Sequence, residues 1–128
     1  MRRVPRGQPS EMTGGGALSA ARLRVEVMTD EDVDVVVAAG EVDVATNVRL
    51  ARALHRLTND HDRPAVVDLR QVRFMDSTGV HHLLNLQRRL ARQGRSLTVL
   101  CAPGAVYRVL ESLGLIETLN LIRSCRIG

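Results

Sequence analysis

The order of strand-like and helix-like segments from Leu23 onward constrains the fold of this 128-residue chain more than any other feature. Residues 23–27, LRVEV, alternate apolar and polar side chains with the two-residue period of a half-buried strand. After the turn TDED, the segment VDVVVAAG at 33–40 is more continuously apolar, which predicts a second and more deeply buried strand. Together the two segments predict an antiparallel hairpin.

A first helix is predicted after this hairpin, within EVDVATNVRLARALHRL at 41–57. Thr46 is expected to be its N-cap, because a hydroxyl oxygen at that position accepts a hydrogen bond from a free backbone N–H group. The residues expected on its buried face recur at three- and four-residue spacing: Val44, Val48, Ala51 and Leu54 or Leu57.

A short apolar strand, AVVDL at 65–69, is predicted next, and RQVRFM leads from it to the four residues DSTG at 76–79. A second helix is predicted to follow DSTG and to end at Gly94, with its arginines on the side away from the core. Five apolar residues are expected on its buried face: Val80, Leu83, Leu84, Leu86 and Leu90.

Three further segments complete the pattern. SLTVLCA at 96–102 predicts a strand, and PGAVYRVLESLG at 103–114 predicts a helix, because proline opens it and glycine closes it. LIETLNLI at 115–122 is a final strand or a short element. The β-β-α-β-α-β-α order therefore predicts an α/β fold, a small mixed β-sheet with right-handed crossovers and helices packed on one side.

Composition and charge narrow the possible functions. Phe74 and Tyr107 are the only aromatic residues, which predicts an aliphatic core and no base-stacking platform for single-stranded nucleic acid. All 18 basic residues are arginine, and the formal net charge is +4. Acidic residues without any arginine occupy 26–43, and arginines without any acid occupy 86–95. Such a charge distribution suits either the docking of a protein partner or two solvated surfaces.

We expect three regions: a disordered N-terminal tail at 1–21, a folded domain at 22–123 and a C-terminal tail at 124–128. No apolar run approaches the roughly 20 residues of a membrane helix, and no apolar signal-peptide core follows the N-terminal arginines. We therefore expect a cytoplasmic protein that does not enter the membrane. Cys101 and Cys125 have no metal-ligand spacing and are expected to be free thiols, and we expect no metal and no cofactor.

The DSTG residues allow three interpretations. As a helix start, Asp76 or Ser77 would cap the second helix and Gly79 would allow a tight turn. As a hydrolase site, Ser77 would be a nucleophile, but it is not in a G-x-S-x-G elbow, and His81 would lie along the same helix. As a switch, Ser77 would carry a phosphate, which a helix N-terminus favours and which would repel a docked partner.

Three stretches resemble a known family: GEVDVAT at 40–46, VVDLRQVRFMDSTGV at 66–80 and LTVLCAPGAVYRVLESLGL at 97–115. Over roughly residues 22–123, the chain resembles single-domain STAS proteins, the bacterial anti-sigma factor antagonists. The resemblance implies a small sheet with helices on one side, in agreement with the segment order.

The resemblance also implies a function without enzymatic activity. Ser77 would be phosphorylated by an anti-sigma factor that is also a serine kinase, and Thr78 would be a minor second site. The unphosphorylated antagonist would bind that kinase and thereby free a sigma factor. The phosphorylated form would release the kinase, and a phosphatase would remove the phosphate from Ser77. No direct contact with nucleic acid or membrane is implied, and we expect a monomer or weak dimer. The residues expected to bind the partner are Asp43, Asp76, Ser77, Thr78, Gly79, His81 and His82.

One alternative function and one departure from the family's usual sequence remain to be considered. A STAS-type subunit of a membrane transport complex, such as a lipid-trafficking ATPase, would work without phosphorylation. After DSTG the family usually has Leu-Gly, whereas this chain has Val80, His81 and His82. The two histidines are either solvent-facing helix residues or residues that tune the choice of partner. The basic stretch RRLARQGR at 88–95 lacks aromatic residues and a nucleic-acid docking motif, and is expected to be a solvated helix face.

Overall fold

The computed structural model of the protein describes residues 22–29, 31–58 and 62–125. The predicted tail at 1–21 and residues 126–128 lie outside these ranges. The β-β-α-β-α-β-α order is confirmed, and the end of LIETLNLI contributes to a short fifth strand. In chain order the elements are β1 Leu23–Thr29, β2 Asp34–Val42, α1 Asn47–His55 with a 3-10 turn at Arg56–Thr58, β3 Ala65–Met75, α2 Ser77–Arg92, β4 Leu97–Cys101, α3 Ala105–Ser112 and β5 Leu121–Arg123.

The five strands form one mixed sheet in the order β1-β2-β3-β4-β5. β1 runs antiparallel to β2, which confirms the hairpin, and the remaining neighbours are parallel. Each helix connects a strand to the next strand in the same direction across the sheet, so right-handed crossovers place all three helices on one face. We call the edge of the sheet where β2 and β3 end the carboxyl edge.

The core lies between the helices and the covered face of the sheet. Burial alternates along β2 and β4, as expected for strands with one face packed against helices and the other less covered. The predicted buried face of α2 is confirmed, with Leu84 only partly buried and the other four residues buried: Val80, Leu83, Leu86 and Leu90.

β3 is longer than the sequence pattern predicts. The strand continues through RQVRFM to Met75, where it pairs with Val42 of β2. β4 pairs with β3 only as far as Asp68, so the second half of β3 has β2 as its neighbour and leaves Arg73 and Phe74 exposed. Charged residues are tolerated there, and they break the apolar run that marks the first half.

The predicted buried face of α1 is wrong in part. Val44 is 78% exposed and Val48 is 53% exposed. Because α1 begins only at Asn47, Val44 lies in the preceding turn and does not share the helical period. The buried face is formed instead by residues with their own three- and four-residue spacing: Leu50, Ala53, Leu54 and Leu57.

A buried ion pair lies at the opposite edge, where the parallel strands begin. Asp34 is 0% exposed and Arg95 is 6% exposed, and Nη2 of Arg95 donates to Oδ2 of Asp34 at 3.0 Å. Arg95 also donates to the carbonyl oxygens of Leu57 and Arg63, at 2.6 and 2.8 Å. The prediction of a solvated face for 88–95 is therefore wrong for Arg95, which follows the turn at Gly94 and points inward.

Candidate partner-docking site at the carboxyl edge

The carboxyl edge brings together two segments that the sequence predicts to bind a partner. β2 ends at Val42, directly before Asp43, and β3 ends at Met75, directly before Asp76. Val42 and Met75 are paired in the sheet, and the backbone N–H of Asp76 donates to the carbonyl oxygen of Val42 at 3.1 Å. The GEVD and DSTG segments are therefore neighbours in space.

Asp76 is the N-cap of α2, which decides between the two capping residues that the sequence allows. Its Oδ1 accepts from the backbone N–H of Thr78 at 2.9 Å and from the Thr78 hydroxyl at 2.5 Å. The hydrogen bond from the Thr78 hydroxyl is the largest influence and lowers the pKa of Asp76 below its usual value. Partial burial opposes this effect, and backbone N–H groups reinforce it. The carboxylate therefore stays ionised and holds the first turn.

Ser77 is the first residue of α2, and its side chain is exposed. Within the described ranges its hydroxyl has no hydrogen-bond partner, whereas the Thr78 hydroxyl is bonded to Asp76. The first turn of a helix carries the positive end of the helix dipole, which stabilises a nearby anion. The Ser77 hydroxyl is accessible at a place where an added negative charge is compatible with the helix.

Gly79 allows α2 to approach the sheet closely. A Cβ atom added there would lie 2.7 Å from Cγ of Met75 and 2.9 Å from Cγ1 of Val42. Its φ angle is not among the positive ones, so the glycine is needed for space and not for the tight turn expected from the sequence. Its position fixes how the first turn of α2, with Ser77, sits on the ends of β2 and β3.

Asp43 shapes the loop between β2 and α1. Its Oδ1 accepts from the backbone N–H groups of Ala45 and Thr46, at 2.9 and 3.1 Å, and its carboxylate forms an ion pair with Arg22. Thr46 occupies the predicted N-cap position, but its buried hydroxyl donates to the carbonyl oxygen of Glu41 at 2.7 Å and does not cap α1. Thr46 therefore fastens the loop to β2.

The two histidines after DSTG have different surroundings. His82 is partly buried, and its Nε2 lies 2.9 Å from Oδ1 of Asn47, the first residue of α1. Burial, and to a smaller degree the neighbouring His81, lowers the pKa of His82. His81 is exposed, with its ring centroid 6.1 Å from that of His82. His81 thus fits the expected solvent-facing residue, whereas His82 links α2 to α1.

Sequence reasoning missed three exposed apolar residues at this edge: Val44, Val48 and Phe74. We call them the edge patch. Val44 lies in the turn that begins with Asp43, Val48 lies in the first turn of α1, and Phe74 pairs with Glu41 near the end of β3. The only signal in the sequence is that these residues flank GEVD and DSTG, but helical periodicity assigned the two valines to the core.

The two histidines that follow Ser77 are not placed as its general base in the described part of the chain. In the part of the chain that the structure describes, neither His81 nor His82 is hydrogen-bonded to Ser77, and the His82 ring is bonded to Asn47. A serine nucleophile needs a base within hydrogen-bond reach. An exposed hydroxyl at a helix start suits modification, and exposed apolar side chains at the same edge of the sheet suit binding of a protein surface.

Comparison with known proteins identifies the family. The model of the STAS domain family matches residues 24–126. The chain belongs to the STAS domain family. An anti-sigma-B factor antagonist of Staphylococcus aureus is 28% identical over 99 residues, which cover 77% of this chain and 92% of that protein. The resemblance seen in the three sequence stretches is therefore confirmed.

Two solved structures share the STAS fold of this chain. An anti-sigma factor antagonist from Mycobacterium paratuberculosis superposes with a TM-score of 0.72 at 27% identity, covering 80% of this chain and 86% of that one. The anti-sigma factor antagonist SpoIIAA in its unphosphorylated form gives a TM-score of 0.59 at 20% identity, covering 81% and 89%. The second likeness shows the fold alone. Both agree with the sheet and helix arrangement described above.

Within the described ranges, no helix of this STAS domain is both long enough and apolar enough to cross a bilayer.

Proposed function

We propose that this STAS protein is an anti-sigma factor antagonist controlled by phosphorylation of Ser77. With Ser77 unmodified, it binds an anti-sigma serine kinase through the carboxyl edge. With Ser77 phosphorylated, it releases the kinase, and a phosphatase resets it. It acts in the cytoplasm, without catalysis of its own, on transcription that depends on a sigma factor. The observation that carries the proposal is the exposed hydroxyl of Ser77 at the first residue of α2.

The relatives support the general role. The Staphylococcus aureus protein and the Mycobacterium paratuberculosis structure are both named anti-sigma factor antagonists, and each is matched over most of its length. An antagonist of an anti-sigma factor must bind a protein, which agrees with the exposed apolar side chains of the edge patch.

Charge supplies the physical reason for release. A phosphate on Ser77 would add about −1.5 to −2 charges at pH 7, next to the carboxylate of Asp76. The helix dipole would stabilise that charge by about 0.3–2 kcal/mol, so the fold tolerates it. A partner that covers Ser77 would have to desolvate the phosphate, which costs several kcal/mol, and each ~1.4 kcal/mol is a tenfold change in affinity. Phosphorylation therefore weakens binding without unfolding the domain.

The neighbouring residues have supporting roles in this proposal. Asp76 holds the helix start, and Gly79 seats it on the sheet, so that Ser77 is presented to the partner. The Thr78 hydroxyl is bonded to Asp76, so its phosphorylation would disturb the cap, which supports a minor role for Thr78. Asp43 shapes the adjoining loop and offers its remaining exposed surface to the partner.

The histidines contribute to partner choice through different contacts. His81 is exposed one helical turn after Ser77 and can contact the partner directly. His82 is bonded to Asn47 and acts by holding α1, with Val48, against α2.

The proposal is tested by affinity capture from the protein's own cells, with mass spectrometry of the bound proteins. The bait carries Ser77→Ala or Ser77→Asp, and the matched controls carry Ser96→Ala or Ser96→Asp, since Ser96 is exposed at the opposite edge. We expect a kinase of the ATPase type on the Ser77→Ala bait, its loss with Ser77→Asp, and its retention by both controls.

Other outcomes contradict the proposal. Capture of the same transporter subunits by both Ser77 forms would favour a structural subunit of a transport complex. If no bait captures a kinase, the role of Ser77 is limited to the start of the helix and the switch is rejected.

A further inference from the structure

A groove of about 340 Å³ runs between α1 and α2, from His82 near the carboxyl edge to Arg92 at the end of α2. Its floor is apolar and includes Leu54 and Leu86. Its walls are basic: the last turns of α2 contribute three arginines and the end of α1 contributes a histidine. The histidines and arginines that line it are His55, His82, Arg88, Arg89 and Arg92.

Among the residues that the structure describes, no carboxylate neutralises the positive charge of this groove. Neither α1 nor α2 contains an aspartate or a glutamate. Among the described residues, Arg88, Arg89 and Arg92 take part in no ion pair, and the polar contacts of Arg88 and Arg89 go to Asn85 and His55. The three guanidinium groups are therefore available to an anionic ligand.

The spacing of the arginines fits a ligand with several separated negative charges. Arg88 and Arg92 are four residues apart on α2, so they lie on the same side of the helix, about 6 Å apart along its axis. Carboxylates on successive turns of a helix, or on alternate residues of an extended segment, have similar spacing. An apolar side chain between them would reach the floor at Leu54 and Leu86.

We propose that this groove binds an acidic, amphipathic segment of a protein partner. A nucleic acid is disfavoured because the two aromatic residues of the chain, Phe74 and Tyr107, do not line the groove, so no ring is available for base stacking. A membrane surface is disfavoured because the apolar side chains form a floor between two helices and do not project from the surface.

The inference goes beyond the switch at Ser77 and does not depend on it. Arg88 follows Ser77 by eleven residues on the same helix, about 16 Å along its axis. A phosphate on Ser77 is farther from Arg88 and Arg92 than the Debye length at physiological salt, which is about 8 Å. Binding in the groove should therefore be nearly independent of the state of Ser77.

The test uses the full chain and a fluorescent probe peptide of about 14 residues that repeats glutamate at four-residue spacing with leucine between. Fluorescence anisotropy measures its affinity for the wild type, for the double variant Arg88→Gln/Arg92→Gln, and for a charge-matched control. The control is Arg24→Gln/Arg108→Gln, because both arginines are exposed and lie outside the groove. Thermal melting of each variant checks that the fold is retained.

We expect the Arg88→Gln/Arg92→Gln variant to bind the peptide at least about fivefold more weakly, since each exposed charge pair contributes up to about 1 kcal/mol. The control should bind within about twofold of the wild type, and Ser77→Asp should also bind like the wild type, which separates this inference from the proposed function. Raising the salt concentration from about 50 to about 300 mM should weaken binding, because it screens charges.

Three results would overturn the inference. The first is equal loss of binding in the groove variant and in the control. The second is a wild type that binds the glutamate peptide no better than a peptide with glutamine in place of each glutamate. The third is tighter binding to an oligothymidylate or to phosphatidylglycerol vesicles than to the peptide, because these would identify a nucleic acid or a lipid surface as the ligand.

Discussion

Asp76 and Ser77 have separate roles at the start of α2. The Asp76 carboxylate accepts the hydrogen bonds that hold the first turn, and the Ser77 side chain is left exposed. Because the cap and the proposed phosphosite are separate residues, a phosphate on Ser77 leaves the bonds of the cap in place. In the proposed switch, this separation would allow binding to change without a change in fold.

Replacement of Asp76 by alanine should destabilise the protein by about 1 kcal/mol, the usual effect of losing an N-cap. The folded-state pKa of Asp76 is lowered, so its stabilising effect is fully present above the unfolded pKa of about 3.9 and is lost as the pH falls through the lower folded pKa. The free energies of unfolding of the wild type and of Asp76→Ala, measured with urea, should therefore differ at pH 7 and become equal in acid.

The control for this prediction is Glu117→Ala, which removes an exposed carboxylate outside the site. It should leave the free energy of unfolding nearly unchanged at both pH values. A difference between wild type and Asp76→Ala that stays constant into acid would show that the ionised carboxylate is not what holds the helix start.

At the residue scale, the sequence predicts a helix start at DSTG, which the structure confirms, but not which contacts each of its residues makes. Asp76, Ser77 and Gly79 were all assigned to the helix start, but the capping residue was left open between the first two. The role of Gly79 depends on the distance to Val42 and Met75, which are on two different strands. Such a distance is set by tertiary packing and has no local signature in the sequence.

At the scale of elements, α1 and the turn before it present two valines outward beside the proposed docking site. Val44 and Val48 are exposed, so the double variant Val44→Ser/Val48→Ser should change the stability by less than about 1 kcal/mol. If the partner covers both side chains, its affinity should fall about tenfold or more, from the apolar burial lost. The measurement is binding of the captured kinase by surface plasmon resonance, together with thermal melting.

A matched control for this pair is Val109→Ser, because Val109 is an exposed valine on α3. It should bind the partner like the wild type. An unchanged affinity of Val44→Ser/Val48→Ser would remove the edge patch from the interface, and a large loss of stability would show that the valines belong to the core after all.

A helix or strand was predictable where the spacing of its apolar residues and the residues that end it agree. α2 has one apolar stripe and a closing glycine at Gly94, and its predicted face is confirmed. α1 has two overlapping stripes, and the first residue of the helix decides between them. That residue is Asn47, and it follows a loop held by hydrogen bonds between Asp43, Thr46 and Glu41, which periodicity cannot reveal.

At the scale of the whole molecule, the two edges of the sheet have different roles. The carboxyl edge presents Ser77, whereas the opposite edge is held by the buried ion pair of Asp34 and Arg95. Arg95 also binds the carbonyl oxygens that precede β3 and follow α1, so it ties several connections together.

Replacement of Arg95 by methionine should destabilise the protein by about 3 kcal/mol, because it leaves the Asp34 carboxylate buried with Arg63 as its remaining ion-pair partner. The double variant Asp34→Asn/Arg95→Met should lose less than the sum of the single variants, since no buried carboxylate is left without Arg95. Guanidinium unfolding measures both. A loss as small as that of Arg92→Met, an exposed arginine, would show that the buried pair does not hold this edge.

The overall order of elements was predictable because crossovers between parallel strands follow strict rules of handedness. The pairing of Asp34 with Arg95 was not, because these residues are far apart in sequence and were each grouped with neighbours of like charge. Their burial follows from where β2 begins and where the chain leaves α2. Both positions are set by the assembled sheet and not by the local sequence.

The most direct test of the central claim places phosphoserine at position 77 by genetic encoding and measures the affinity for the kinase captured by Ser77→Ala. Phosphoserine at position 96 is the control. The account predicts a loss of affinity of about a hundredfold or more for phosphorylated Ser77, with a melting temperature close to that of the unmodified protein. Unchanged affinity, or a loss that is accompanied by unfolding, would contradict a switch in which charge on Ser77 releases the partner from an intact domain.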